Sequence, residues 1–284
     1  MSLFFALLTF VGWGVGDVFV TLAARRLGGM RAYFWIFFFA FLVSSLYLPF
    51  APGIGLSPTL LYIVLLDALL VVSIILYYRA LEIGNASLVG AVVGSSGALI
   101  VIFSYFLYHE PVSPLGWIGV FLALLGVGLV SFRIQDFSKL HPAHLIADKG
   151  LRMALIASLI WGAYFAVVKL VTLDIGWYWP HYLRLALFPL VIIYARVSRQ
   201  SLAIPTLKTL IWVVAASLLF TVADFSYNIG VLSGFVTVVA PIATASPVLF
   251  VILSRFVFKD RLTGLQGVGM VVTLVGILIL AFNS

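Results

Sequence analysis

Apolar residues run along this chain in long unbroken stretches, and polar positions gather almost entirely in the breaks between them. An α-helix needs about 20 such residues to cross the hydrocarbon core of a bilayer. Ten stretches of this kind can be marked, near 2–22, 32–50, 60–80, 86–107, 113–132, 151–172, 179–197, 208–229, 235–256 and 262–282. None alternates apolar with polar at every second position, which excludes the strands of a membrane β-barrel. The first has no basic leader and is longer than a signal-peptide core, so it reads as a retained span. The pattern predicts an all-α integral membrane protein with ten transmembrane helices.

The stretches fall into two sets of five. From Tyr77 onward, residue n resembles residue n+150 without a gap: Tyr77 with Tyr227, Gly84 with Gly234, Ser96 with Ser246, Leu99 with Leu249, Gly119 with Gly269 and Gly126 with Gly276. Earlier in each half the register drifts, yet Trp13-Gly14 still aligns with Trp161-Gly162 and Tyr33 with Tyr182. A period this long argues against a solenoid. An odd number of spans per copy turns the second copy upside down. The expected architecture is therefore two inverted five-helix repeats, residues 1–132 and 150–284, joined by a polar linker over 133–149. Duplication of this kind is the plan of transporters whose site lies between the repeats.

Composition agrees, since 64% apolar and 9% charged residues cannot cover a water-soluble surface. Of the 16 Lys and Arg residues only Lys169 and Arg184 lie inside spans; the others, Arg25, Arg79, Arg196 and Arg255 among them, occupy loops on one side. The positive-inside rule makes that side cytoplasmic and both termini extracytoplasmic. The formal charge of +7 is then a consequence of topology and requires no nucleic-acid partner. The expected setting is a monomer in the lipid bilayer of a bacterial or archaeal inner membrane. Without Cys there are no disulfides or thiolate sites, and His141 and His144 in the linker lack a third ligand, so neither a metal nor a cofactor is expected.

The stretch from Tyr227, with Gly234, Ser246-Pro247, Asp260-Arg261-Leu262, Gly269 and Gly276, resembles the end of an EamA repeat of the drug/metabolite transporter superfamily. Glu110-Pro111, Gly119 and Gly126 stand at the matching places of the first half. Trp161-Gly162 with Phe165 and Lys169 resembles the first-helix pattern of that family, and Arg184 matches its basic residue early in the second helix. The first copy departs from the pattern, with Asp17 where the motif has an aromatic and Thr21 at the place of Lys169. The resemblance covers nearly the whole chain. It implies a secondary transporter that exports small metabolites, such as amino acids or related carboxylate-bearing compounds, by alternating access. No His and Glu pair at metal spacing and no Cys nucleophile points to an enzyme, and no glycine-rich phosphate loop points to ATP.

Ionisable residues within spans are costly and mark function. Here they are Asp17, Asp67, Lys169, Arg184 and Asp224, and each breaks the symmetry between the copies. Lys169 and Arg184, at comparable depth toward the outside, are expected to anchor a substrate carboxylate, with Asp67 and Asp224 offsetting their charge. Asp17, deepest of the five, is the candidate for exchanging a coupling proton. That gives the alternative function, proton-coupled export of cationic amphiphiles, with a passive channel or scramblase as a further one. Trp13, Tyr77, Trp161 and Tyr227 occupy equivalent positions from which a ring could stack on a substrate. Tyr164, Asn228, Ser96 and Ser246 complete the expected wall. Gly90 and Gly94 in span four, and Pro241 and Pro247 in span nine, interrupt their helices at matching places and read as hinges. Trp177, Tyr178 and Trp179 read as an interfacial belt. Glu110 and Asp260 read as caps for spans five and ten.

Overall fold

The computed structural model describes residues 1–55, 57–83, 89, 92–131, 148–259 and 263–283. Among these residues all regular structure is helical. The first half contains α1 (Ser2–Leu27), α2 (Gly29–Ser45), α3 (Pro58–Ile83), α4 (Ser96–Tyr108) and α5 (Pro114–Ser131). The second contains α6 (Lys149–Ile175), α7 (Tyr178–Ala186), α8 (Phe188–Val197), α9 (Leu207–Ser233), α10 (Val236–Thr244), α11 (Ser246–Val257) and α12 (Gly264–Asn283). Six helical segments among the described residues have the length and apolarity of a membrane span: Ser2–Leu27, Pro58–Ala80, Lys149–Ile175, Leu207–Ser233, Val236–Val257 and Gly264–Phe282. Gly29–Ser45, Val92–Tyr108 and Pro114–Val130 are equally apolar but shorter.

Three stretches read as single spans are interrupted. The ninth breaks at Ala245, just before Ser246-Pro247, and the seventh at Leu187, just before Phe188-Pro189. A proline ring has no N–H to give the preceding turn and clashes with its carbonyl, so each helix restarts with proline in its first turn. The fourth turns at Ser95, whose amide bonds Val92 O at 3.2 Å, as the amide of Ala245 bonds Ile242 O at 3.3 Å. Ser95 and Ala245 are repeat equivalents. The weak points therefore coincide in the two halves although only one has proline. Gly94 lies on the turn before Ser95, Pro241 lies inside α10, and Gly90 falls outside the described residues.

Packing exchanges partners between the halves. α1 lies along α9 as α6 lies along α3; α10 and α11 cross α1 as α4 crosses α6; α5 and α12 pair with each other. Close approach at the crossings needs glycine. A Cβ on Gly14 would stand 2.9 Å from Leu249 Cβ, and one on Gly162 would stand 2.5 Å from the repeat-equivalent Leu99 Cβ. The α5–α12 crossing is tighter, since a Cβ on Gly126 would lie 2.2 Å from Thr273 Oγ1 and one on Gly276 only 2.4 Å from the Ala123 nitrogen. Small residues let helix backbones touch where lipid supplies no hydrophobic drive for association. Phe4, Leu61, Phe121, Leu173, Ile211 and Phe282 remain largely exposed, as befits a surface solvated by acyl chains.

Candidate functional site

A cavity of about 330 Å³ lies between the halves, at the level of the helix breaks. Ser96 from the start of α4 faces it from the first half, and Thr244, Ser246 and Pro247 from the α10–α11 break face it from the second. Trp13 and Asp17 on α1, Tyr77 on α3, Trp161 on α6, Arg184 on α7, Asp224 on α9 and Gly94 before Ser95 also line it.

Its aromatic wall follows the repeat. Trp13 stacks on Tyr227 with ring centroids 5.8 Å apart, and Trp161 meets Tyr77 edge-on at 5.6 Å. A buried indole must donate its N–H to something. Trp161 Nε1 donates to Ser73 Oγ at 2.7 Å, whereas Trp13 Nε1 donates to the Asp224 carboxylate at 2.8 Å. The same scaffold thus carries a neutral partner on one side and a charge on the other. Tyr227 itself is fully buried behind Trp13, its hydroxyl donating to Phe165 O at 3.0 Å.

Asp224 is the hub of the charged groups. Besides Trp13 it takes a hydrogen bond from Arg184 Nη2, which also bonds His181 Nδ1 at 2.7 Å. His181 Nδ1 also lies 3.2 Å from Asp224 Oδ2, so the imidazole sits between the guanidinium and the carboxylate. Arg184 lies in the last turn of α7, where the helix dipole favours a cation. The Asp17 carboxylate, in contrast, forms no hydrogen bond or ion pair with the described residues, and its polar neighbours are Tyr77 and Tyr78. The acidic and basic side chains on the wall are Asp17, Asp224 and Arg184, of which Asp224 and Arg184 pair with each other.

The structure does not bring Lys169 to Arg184. Lys169 Nζ bonds Glu110 Oε1 at 2.9 Å and Gly234 O at 2.8 Å, away from the cavity. Glu110 does cap a helix, but not span five. Its two carboxylate oxygens accept the backbone N–H groups of Val236 and Thr237, each at 2.9 Å, and the Thr237 hydroxyl at 2.7 Å. It thereby caps α10 of the opposite half, where free N–H groups and the helix dipole converge. Tyr164 is buried beside Asp67. Asn228 donates to Trp177 O at 2.9 Å. Neither they, Tyr227, Pro241 nor Lys169 line the cavity. Tyr178 is no interfacial residue: it is fully buried, stacked on Tyr182 and Phe225, and donates to Ser44 O at 2.9 Å. His141, His144 and Asp260 lie outside the described residues.

His181, Tyr33 and Tyr78 line the cavity without having been singled out from the sequence. For His181 a signal existed, since it is an ionisable residue within a span, three positions before Arg184 and hence on its face. Nothing comparable distinguishes Tyr33 or Tyr78 among so many aromatics.

Two matched segments meet at this cavity. Residues 1–132 and residues 148–282 each fit the model of the EamA-like transporter family. The chain belongs to the EamA-like transporter family. It is accordingly an integral membrane transporter of the drug/metabolite type. A solved crystal structure of another protein matches this EamA-like chain with a TM-score of 0.83 and 18% sequence identity. The match covers 99% of this chain and 96% of the other, and it speaks for the fold alone. No curated protein matches the sequence.

Proposed function

We propose that this EamA-like protein is a secondary transporter that exports small aromatic or otherwise amphipathic metabolites carrying a protonated amine, by alternating access of the cavity between its halves. The reading takes the ten spans as two inverted repeats with both termini outside the cytoplasm, in keeping with the exchanged packing pairs and the one-sided basic loops. One observation carries the substrate class: Asp17 is on the cavity wall without a partner, among aromatic rings, while Arg184 is already engaged by Asp224. A cation gains both a counter-ion and ring faces there. The expectation of a carboxylate anchor required Lys169 and Arg184 to act together, and Lys169 is bound to Glu110 instead. A second reading, an amino acid whose ammonium meets Asp17, is favoured by one detail: Arg184 lines the same cavity, and a guanidinium is suited to a carboxylate.

Three probes with one ring separate these readings. Counterflow into proteoliposomes would be measured with radiolabelled phenylethylamine, phenylalanine and phenylpropionate. The lead reading predicts saturable counterflow of phenylethylamine that falls at least tenfold in Asp17→Asn. Counterflow of phenylalanine without the amine favours the amino-acid reading. Transport of phenylpropionate alone contradicts both.

A further inference from the structure

Asp67 stands one helical turn outward from Leu70 and two from Ile74, on the stripe of α3 that ends in the cavity wall. It is 0% exposed, and neither carboxylate oxygen makes a hydrogen bond of ordinary geometry, the Tyr164 hydroxyl standing close enough only for a loose one. Its polar surroundings come from the helices packed on α3: Tyr164 on α6 and Arg184 on α7, with Asp224 and His181 bound to that guanidinium and Tyr33 of α2 beside it. Arg184 lies within electrostatic reach of Asp67 but makes its ion pair with Asp224. Tyr33 Oη, Arg184 Nε and His181 Nε2 are buried and unpartnered as well. One guanidinium thus faces two carboxylates, one in each half of the molecule, and holds one of them.

Such an arrangement is costly unless something alternates in it, because a buried carboxylate without hydrogen bonds or a paired charge is strongly disfavoured in apolar surroundings. A metal cation does not fit: it requires several oxygen ligands, and here the guanidinium stands beside two carboxylate oxygens and one phenol. A proton does. We propose that Asp67 is the proton-binding carboxylate of the transport cycle, and that Arg184 passes between Asp224 and Asp67 as that proton binds and leaves. This inference rests on the transport reading above.

The two states differ by one charge. With a proton on Asp67, Arg184 neutralises Asp224, which is the arrangement in the structure. When Asp67 releases the proton, its charge draws Arg184 across, and Asp224 is left on the cavity wall with Trp13 as its donor. The cavity then gains one negative charge and holds an amine more tightly. Proton uptake reverses the exchange and lowers affinity, so proton entry is coupled to amine exit although the two cations occupy different carboxylates.

Infrared difference spectra of the purified protein, recorded across a pH titration without substrate, test the proton site separately from transport. The carbonyl band of a protonated carboxylic acid is expected in the wild type and in Asp17→Asn, and its titrating component is expected to vanish in Asp67→Asn. In proteoliposomes with the membrane potential clamped, Asp67→Asn should retain phenylethylamine counterflow while pH-driven accumulation falls to equal concentrations on both sides. If Asp67→Asn does not fold, Asp67→Glu keeps a titratable group displaced by one methylene and should shift the band and its midpoint. An acid band identical in wild type and either Asp67 variant overturns the assignment, as does undiminished pH-driven accumulation by Asp67→Asn. Loss of both counterflow and accumulation in the wild type, with the band present, would instead fault the transport reading.

Discussion

Glu110 is 4% exposed and ties three parts of the molecule together: the Lys169 ammonium, the first two N–H groups of α10 and the Thr237 hydroxyl. Removing its charge strands a buried cation and uncaps a helix. Glu110→Gln should therefore cost about 3–5 kcal/mol, the range for breaking one partner of a buried pair, and lower the melting temperature in detergent. Adding Lys169→Met should restore part of that loss, because the stranded cation is gone; an additive loss would show that the two residues are uncoupled. The depth of Lys169 was legible in the sequence and its direction was not. Eight residues separate it from Trp161, which turns it about 80° around the helix. That rotation is enough to carry the ammonium out of the cavity to Glu110 while Trp161 stays on the wall. Asp224 and Arg184 were recognisable as ionisable residues inside spans, but which cation takes which acid depends on three-dimensional packing that spacing does not encode.

At the scale of elements, the α5–α12 pair offers a clean comparison within one helix. Gly126 is pressed against Thr273, whereas nothing stands within 4 Å of a Cβ placed on Gly128. Gly126→Ala should destabilise the protein by about 1–3 kcal/mol through overpacking, read as a drop in melting temperature. Gly128→Ala should leave it unchanged or slightly raise it, since alanine is the better helix former. Equal effects at both positions would show that the crossing does not depend on close approach. The glycines themselves, repeated at Gly119, Gly126, Gly269 and Gly276, were visible in the chain, and so were the stretches that become helices. The break at Leu187 was missed because Pro189 sits in a stretch whose apolarity is otherwise continuous. The break at Ser95 shows the opposite limit: no proline causes it, and Gly94 together with the equivalence to Ala245 pointed there.

At the scale of the molecule, every major packing pair has a counterpart with the halves exchanged, and the cavity lies where the exchange occurs. Symmetry builds the walls and their backing: Trp13 rests on Tyr227 behind it as Trp161 rests on Tyr77. Asymmetry supplies the chemistry, because Asp17, Asp67, Arg184 and Asp224 all lack a like-charged equivalent in the other copy. A repeat unit alone therefore reveals where the site is but not what it binds. The central claim is that this cavity opens in turn to each side of the membrane and holds the substrate between. Because the chain contains no cysteine, one thiol can report on it without background. Ser246→Cys places that thiol on the cavity wall. In oriented membranes treated with a membrane-impermeant maleimide, the account predicts labelling from either side, slowed from both by phenylethylamine. Labelling confined to one side, or unaffected by the amine when counterflow of that amine is intact, would contradict it.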